Sequence, residues 1–417
     1  MHLSLRSSLR FPLSIFCGAL LIGTLSGCKT PESASSNAAS SEAGSSNSTT
    51  GNAASVAVSP AKPYEGETLI WGEFGSLTGD TATFGTSTHN ALTMAIAEIN
   101  AKGAPLGKKI ELRTEDNGSQ VSQVTSVVKK LIDQEGALVI LGEVASSRSL
   151  AAAPICEAAG VPMLSPSSTN PKVTIGRKWI FRSCFIDSFQ GKAMVKFARA
   201  DLKAKTAAVL TNNGQDYSKG LSEVFAQEFK AAGGTIVSEQ SYQDTDSDFR
   251  AQLTSLKAKN PDVIYIPDYY NKCGAIAGQA RNLGLNQPLL GGDGWDSPKI
   301  FDIGKAAVNN TYFTNHYAPM DKNPVVAKFV TGYREKFGET PDALAACAYD
   351  AAYIMADAIK RAGGTDRDKI RDALASTKGF VGVTGTISIN KDHNVTKPLA
   401  VLKIAGGKQE FVTVVSP

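Results

Sequence analysis

Histidine is scarce in this chain: there are four among 417 residues. His2 lies at the extreme start, and His89, His316 and His393 each stand outside any metal or nucleophile motif. The six cysteines include no C-x-x-C pair. No G-x-S-x-G occurs, so no strand-to-helix nucleophile turn is signalled. Gly103-Ala104-Pro105-Leu106-Gly107-Lys108-Lys109 has the wrong spacing for a phosphate loop and lacks Ser or Thr after lysine. Gly75-Ser76-Leu77-Thr78-Gly79 is not a dinucleotide fingerprint either. No nucleophile and base pair can be named, so no enzyme, metal or cofactor is expected. A concentration of basic charge is missing too. Lys and Arg total 43 against 39 Asp and Glu, interleaved along the chain, which excludes a nucleic-acid footprint. Lys108-Lys109 and Lys129-Lys130 read as solvated faces.

A membrane-spanning run is also absent. The apolar stretch over 11–25 falls short of the ~20 residues a span requires. It follows Arg6 and Arg10 and leads into Leu25-Ser26-Gly27-Cys28, the pattern of a lipoprotein signal over 1–27 with Cys28 as the acylated residue. Removing the leader's two arginines lowers the formal net charge from +4 to +2 (4 − 2 = 2). The expected location is a membrane-anchored lipoprotein facing the periplasm or the cell exterior. Residues 28–64 are largely Ser, Ala, Asn, Gly and Thr, too polar to offset the entropy of ordering. They read as a flexible tether with a reach of ~30 Å. In an oxidising compartment Cys156, Cys184, Cys273 and Cys347 could pair, Cys156 with Cys184 among the options, or remain buried thiols.

The body alternates strand-like and helix-like patterns. Strands are expected over 68–74, 109–115, 137–141 and 161–164, and helices over 86–100, 120–134 and 146–159. A second series begins near Asp187. It has helices over 188–202, 218–232, 247–259 and 272–283 and strands over 206–211, 235–239, 262–267 and 288–290. Such alternation demands parallel sheets covered by helices on both faces. Two series mean an α/β protein of two doubly wound lobes. Helices over 324–337, 342–362 and 366–376 break the rhythm, followed by strands over 385–389, 399–404 and 410–415. The chain must therefore cross between lobes more than once. Lobe 1 is assigned to 65–185 with 316–382 and lobe 2 to 186–315 with 383–417, joined by a multi-strand hinge. Open α/β sheets place ligands in such a cleft.

Hydroxyl-rich turns recur where strands give way to helices. Ala145-Ser146-Ser147-Arg148-Ser149 follows one expected strand and Ser165-Pro166-Ser167-Ser168-Thr169-Asn170-Pro171 follows another. Helix starts offer unpaired N–H groups and a positive dipole end, which together with hydroxyls suit a carboxylate. Plain helix capping is the simpler alternative. Asp293 lies in Gly291-Gly292-Asp293-Gly294-Trp295, where close backbone approach lets a carboxylate face the cleft; a turn aspartate is its simpler reading. Phe84, Tyr217, Tyr269 and Tyr270 are candidates for an apolar wall, although lone tyrosines more often pack half-buried.

Gly75-Ser76-Leu77-Thr78-Gly79, Phe84-Gly85, Glu98-Ile99-Asn100-Ala101-Lys102-Gly103, the 165–171 turn, Phe189-Gln190-Gly191, Asp268-Tyr269-Tyr270, Gly292-Asp293-Gly294 and Tyr349-Asp350-Ala351 occur in this order along the chain. By these stretches the chain resembles, over 68–415, the branched-chain amino-acid-binding type of periplasmic binding protein. The resemblance implies two lobes closing on an amino acid by a hinge motion. It implies that Ser146 and Thr169 hold the ligand's α-carboxylate, and that 167–169, with Ser167 and Ser168, add backbone groups. Asp293 would hold the ammonium, where the family often has glutamate. Phe84, Tyr217 and one of Tyr269 or Tyr270 would line the side-chain pocket, with Phe84 standing where the leucine binder has tyrosine. The implied partners are an amino acid and the membrane permease of an ATP-driven importer, with the chain itself a monomer. Two alternatives remain: a sensor of an amide, urea or small carboxylate feeding a signalling partner, and a structural envelope lipoprotein.

Overall fold

The computed structural model describes residues 59–417. The expected signal over 1–27, Cys28 and most of the expected tether lie outside the described residues. The end of that tether, 59–64, is strapped to the first lobe. Ala61 N–H donates to Ala159 O at 2.9 Å, Arg367 Nη1 to Lys62 O at 2.6 Å, and Thr365 Oγ1 to Tyr64 O at 3.2 Å.

The first sheet contains β1 (Leu69–Gly75), β2 (Ile110–Asp116), β3 (Val139–Leu141), β4 (Met163–Ser165) and β5 (Ile180–Arg182), all parallel, in the order β2-β1-β3-β4-β5. Helices α1 (Ala82–Ala101), α2 (Val121–Asp133) and α3 (Ser146–Ala159) connect them. In α2 the side chains of Val124, Val127, Val128, Leu131 and Ile132 are buried at helical spacing, while the other face is polar. Every residue of β3 is buried, as a central parallel strand covered on both faces must be.

The second lobe repeats the plan. Helices α4 (Asp187–Ala200), α5 (Asp216–Ala231), α6 (Arg250–Ala258), α7 (Tyr270–Asn282) and α8 (Lys299–Gly304) accompany β6 (Thr206–Asn212), β7 (Thr235–Tyr242), β8 (Val263–Tyr265), β9 (Leu289–Gly291) and β10 (Thr311–Asn315). These five strands are parallel in the order β7-β6-β8-β9-β10, the same winding as the first sheet. The chain then returns to the first lobe with α9 (Pro324–Phe337), α10 (Ala343–Ala362) and α11 (Arg367–Ala375), which pack in the core shared with α1 and β1. A hairpin of β11 (Phe380–Gly382) and β12 (Gly385–Ile387) follows. Finally β13 (Leu399–Ala405) and β14 (Lys408–Val415) extend the second sheet antiparallel beyond β10.

Three crossings thus join the lobes: β5 to α4, β10 to α9, and β12 to β13. The last falls later than expected. Val383, Ile387, Ile389 and Val395, assigned from sequence to lobe 2, bury in the first lobe's core, and the second lobe resumes only at β13. Asp350 on α10 fixes this stretch by accepting the N–H groups of Val383 (2.7 Å) and Thr384 (2.9 Å). Strands β5, β10 and β11 were not anticipated. Cys156, Cys184, Cys273 and Cys347 are buried free thiols, and burial pushes Cys184 up to about 12, so the contemplated Cys156–Cys184 bridge is not formed.

Candidate functional site

The C-terminal ends of β3 and β4 carry the two hydroxyl-rich turns, and both meet the second lobe. At the start of α3, Ser147 Oγ accepts the Asp216 N–H of α5 across the gap at 2.9 Å. Asn170 Nδ2 donates to Asp216 O at 2.8 Å, and Asp187 N–H donates to Thr169 O at 3.0 Å. Two helix N-termini, of α3 and α5, therefore converge on one spot, each with a positive dipole end.

The 165–171 turn owes its shape to Arg182 on β5. This guanidinium is fully buried and donates to Ser168 O, to Asn170 O at 2.7 Å and to Thr174 Oγ1 at 3.2 Å. Ser168, expected to serve a ligand, is spent on the fold. Its hydroxyl lies 2.9 Å from the carbonyls of Glu143 and Val144, its N–H donates to Ser165 Oγ at 3.0 Å, and Arg182 takes its carbonyl. Ser146 Oγ accepts the Asn170 N–H at 3.1 Å and keeps its own proton free to donate elsewhere. Ser167 is buried, and its hydroxyl has no hydrogen-bond partner among the described residues. Thr169 is buried beside it.

Asp293 follows β9 in the second lobe and is buried. Its Oδ1 accepts from Tyr217 Oη (2.9 Å) and Gln190 Nε2 (3.0 Å), and its Oδ2 lies 3.0 Å from His316 Nε2. Gly292 must lack a side chain: a Cβ there would stand 2.3 Å from Tyr217 Oη and 3.0 Å from Gln190 Oε1. A Cβ at Gly294 would meet Asp268 O at 2.8 Å. The glycines flanking Asp293 let its carboxylate sit against Tyr217 and Gln190.

Gln190 Nε2 also donates to Asp187 Oδ1 at 2.8 Å, linking two buried carboxyl groups. Burial, and then the neighbouring Asp293 charge, push Asp187 up to about 7. His316 stacks on Phe185 with centroids 3.8 Å apart, and burial holds its imidazole below the usual range.

The four aromatic candidates form one cluster. The Tyr217 and Tyr269 rings stack at 5.1 Å, and Phe84 from the first lobe meets Tyr269 at 5.7 Å and Tyr270 at 4.9 Å, both edge-on. The two tyrosines have different tasks. Tyr270 Oη reaches across to Thr83 Oγ1 (3.0 Å) and Asp80 O (3.2 Å), whereas Tyr269 Oη is buried without a partner among the described residues. Phe84 is held in place because Gly85 lies against Ser76: a Cβ at Gly85 would come within 2.0 Å of Ser76 O.

The sequence candidates thus assemble around one interlobe locus, except Ser168, whose polar atoms are committed to the turn. Sequence reasoning missed Arg182, Asp187 and His316, and did not single out Ser147 from the 145–149 turn or Gln190 from Phe189-Gln190-Gly191.

The pattern of the family described as periplasmic binding protein matches residues 72–409. The Leu/Ile/Val-binding protein BraC3 of Rhizobium johnstonii is 28% identical over 335 residues, 80% of this chain and 90% of the relative. Among solved structures, a leucine-binding protein LivK from Thermotoga maritima is 41% identical with a TM-score of 0.81, covering 84% of this chain and 99% of that one. The branched-chain amino acid transporter substrate-binding protein LivJ from Streptococcus pneumoniae, in complex with isoleucine, is 36% identical with a TM-score of 0.80, covering 84% and 100%.

Proposed function

This chain belongs to the periplasmic binding protein family and has its type I fold, and on that premise we propose that it captures an amino acid between its lobes for an ABC importer. The observation that carries the reading is the burial of Asp293 against Tyr217 of the interlobe aromatic cluster, together with a buried Ser167 hydroxyl that is unspent. A small zwitterion supplies both complements. Its carboxylate suits the hydroxyls of Ser146, Ser167 and Thr169 at the N-terminus of α3, where the helix dipole favours an anion. Its ammonium suits Asp293, with Asp187 one amide away.

Phe84, Tyr217 and Tyr269 supply the aromatic surface for the ligand's side chain in this reading. Because Tyr270 bonds across the lobes, it acts as a clamp. Closure is a population shift that a ligand drives by touching both lobes at once. The membrane permease receives the closed form, and the acylated Cys28 holds the protein at the membrane in this reading.

Calorimetry against a panel of amino acids tests it. Branched-chain or smaller aliphatic amino acids are expected to bind at micromolar levels or better, and Asp293→Ala is expected to weaken binding at least ~30-fold, the loss of a charge-assisted contact. Absence of binding by every amino acid, or an unchanged Asp293→Ala, defeats the proposal.

A further inference from the structure

His316 has no counterpart in the expected set of ligand contacts, yet it touches the residue on which the amine would depend. It occupies the second crossing, immediately after β10, with its side chain fully buried. Its Nε2 lies 3.0 Å from Asp293 Oδ2, the oxygen that Tyr217 and Gln190 leave open. For the ring to donate there while neutral, Nε2 must carry the proton. Nδ1 is then a bare lone pair, and it is buried with no hydrogen-bond partner among the described residues.

We propose that His316 is a positioning residue that makes cation capture at Asp293 dependent on protons. When neutral it steers the Asp293 carboxylate and leaves its charge to the ligand's ammonium. When protonated it claims that charge itself and weakens the ligand. The inference rests on the reading of Asp293 as the ammonium site.

The surroundings fix the direction. Desolvation disfavours the imidazolium most, Asp293 favours it, and the buried Lys397 disfavours it. Lys397 comes from the third crossing and Asp187 from the start of α4, where Gln190 couples it to Asp293. Phe185 covers one ring face, and the thiol of Cys184 is uncharged at any relevant pH. Asp296 lies three residues beyond Asp293, and burial and then the Asp293 charge raise its carboxyl. His316 is accordingly neutral at pH 7 and gains its proton only in acid. Asp187 titrates higher, near 7, and its protonation also removes negative charge near the ammonium. Both steps lower affinity as pH falls, so two limbs are expected, and only the lower belongs to His316.

The test has a ligand-free arm and a ligand arm. In the ligand-free arm, the imidazole resonances of wild type and Asp293→Asn are followed by NMR from pH 8 to pH 4.5. The His316 midpoint is expected to fall by about one unit when Asp293 loses its charge, the usual scale for a close ion pair. In the ligand arm, calorimetry with L-isoleucine and L-alanine is run over the same range in wild type and His316→Gln, which keeps a donor and cannot titrate. Wild type is expected to lose roughly tenfold more affinity between pH 6.5 and 4.5 than His316→Gln, the equivalent of one pKa unit. An unshifted His316 midpoint, or a Gln variant retaining the full acid limb, overturns the proposal. Should neither probe nor any other amino acid bind, the amino-acid reading fails separately, and the midpoint comparison still decides whether His316 and Asp293 are coupled. Should His316→Gln fail to fold, the wild-type midpoint with and without ligand serves instead: saturation is expected to depress it, and no change overturns the inference.

Discussion

Asp187 opens α4 with no exposed surface and a carboxyl pushed up to about 7, chiefly by burial. Its ordinary value in an unfolded chain is near 4. A folded acid with a raised pKa contributes stability that is fully present below the unfolded value and is lost as pH rises through the folded one. Between about pH 4 and 7 the wild type should therefore grow less stable relative to Asp187→Asn, whose amide oxygen still accepts from Gln190. The Asn variant is expected to unfold at higher denaturant than wild type at pH 8, by about 1–3 kcal/mol, and to lose that advantage at pH 4. Urea titrations at the two pH values check the sign. A second residue-scale expectation concerns Gly292. A methyl group there would push the Tyr217 hydroxyl and Gln190 off Asp293, so Gly292→Ala should weaken amino-acid binding at least ~10-fold, about 1.4 kcal/mol, in calorimetry.

At the scale of elements, two of the strands absent from the sequence reading, β5 and β10, occupy the same place in each lobe. β5 is only Ile180-Phe181-Arg182, and β10 mixes Thr311, Thr314 and Asn315 among its aromatics, so neither shows an apolar run or a clean alternation. Both lead into crossings, and polar residues there serve the junction. Arg182 shapes the 165–171 turn, Thr314 Oγ1 donates to Gln190 Oε1 at 2.8 Å, and Asn315 Nδ2 donates to Asp296 Oδ2 at 2.8 Å. The long helices and strands were legible because burial imposes a period of 3.6 or 2 on them; the six-residue α8 and the late return to the second lobe were not. Nothing in 383–398 distinguishes packing under α10 from pairing with the second sheet until Asp350 is seen to hold Val383 and Thr384.

The site divides likewise. Asp293 among glycines and the serine-rich turn are local signals, and the structure brings them together. Which serines of that turn are spent depends on Glu143, Val144 and Arg182, and proximity of Gln190 and His316 to Asp293 depends on the winding of the sheet; neither leaves a trace in sequence spacing. Arg182→Ala would leave the carbonyl of Ser168 only the Cys184 thiol and that of Asn170 only the Val173 N–H, and would open a hole beneath the turn. It should cost about 2–4 kcal/mol in denaturant unfolding and weaken ligand binding. Arg182→Lys should not restore either, since a single ammonium cannot replace the two-armed fork.

The two lobes are shut, and the polar bonds that hold them so across the cleft are few. Ser147 with Asp216, Asn170 with Asp216, and Tyr270 with Thr83 and Asp80 are polar links across the gap, while Phe84 buries its ring among the second lobe's aromatics. Lys397 ties two crossings at the hinge instead, donating to Ser183 O at 3.3 Å and to Thr384 Oγ1, so it should persist through opening. A contact made only in the closed form changes ligand affinity by changing the closed population, and a ligand that bridges the lobes is released chiefly when they part. Ser147 is suited to test this because its hydroxyl accepts the Asp216 N–H of the opposite lobe and it flanks Ser146. Ser147→Ala should weaken amino-acid binding about 5-fold, the worth of ~1 kcal/mol for one neutral hydrogen bond. In stopped flow the change should fall on the dissociation rate. The unfolding midpoint of the ligand-free protein should shift little, because opening already exposes this bond to water. An equal loss in the association rate, or a dissociation rate unchanged while the unliganded protein is destabilised, would show that Ser147 supports lobe 1 and not the closed state.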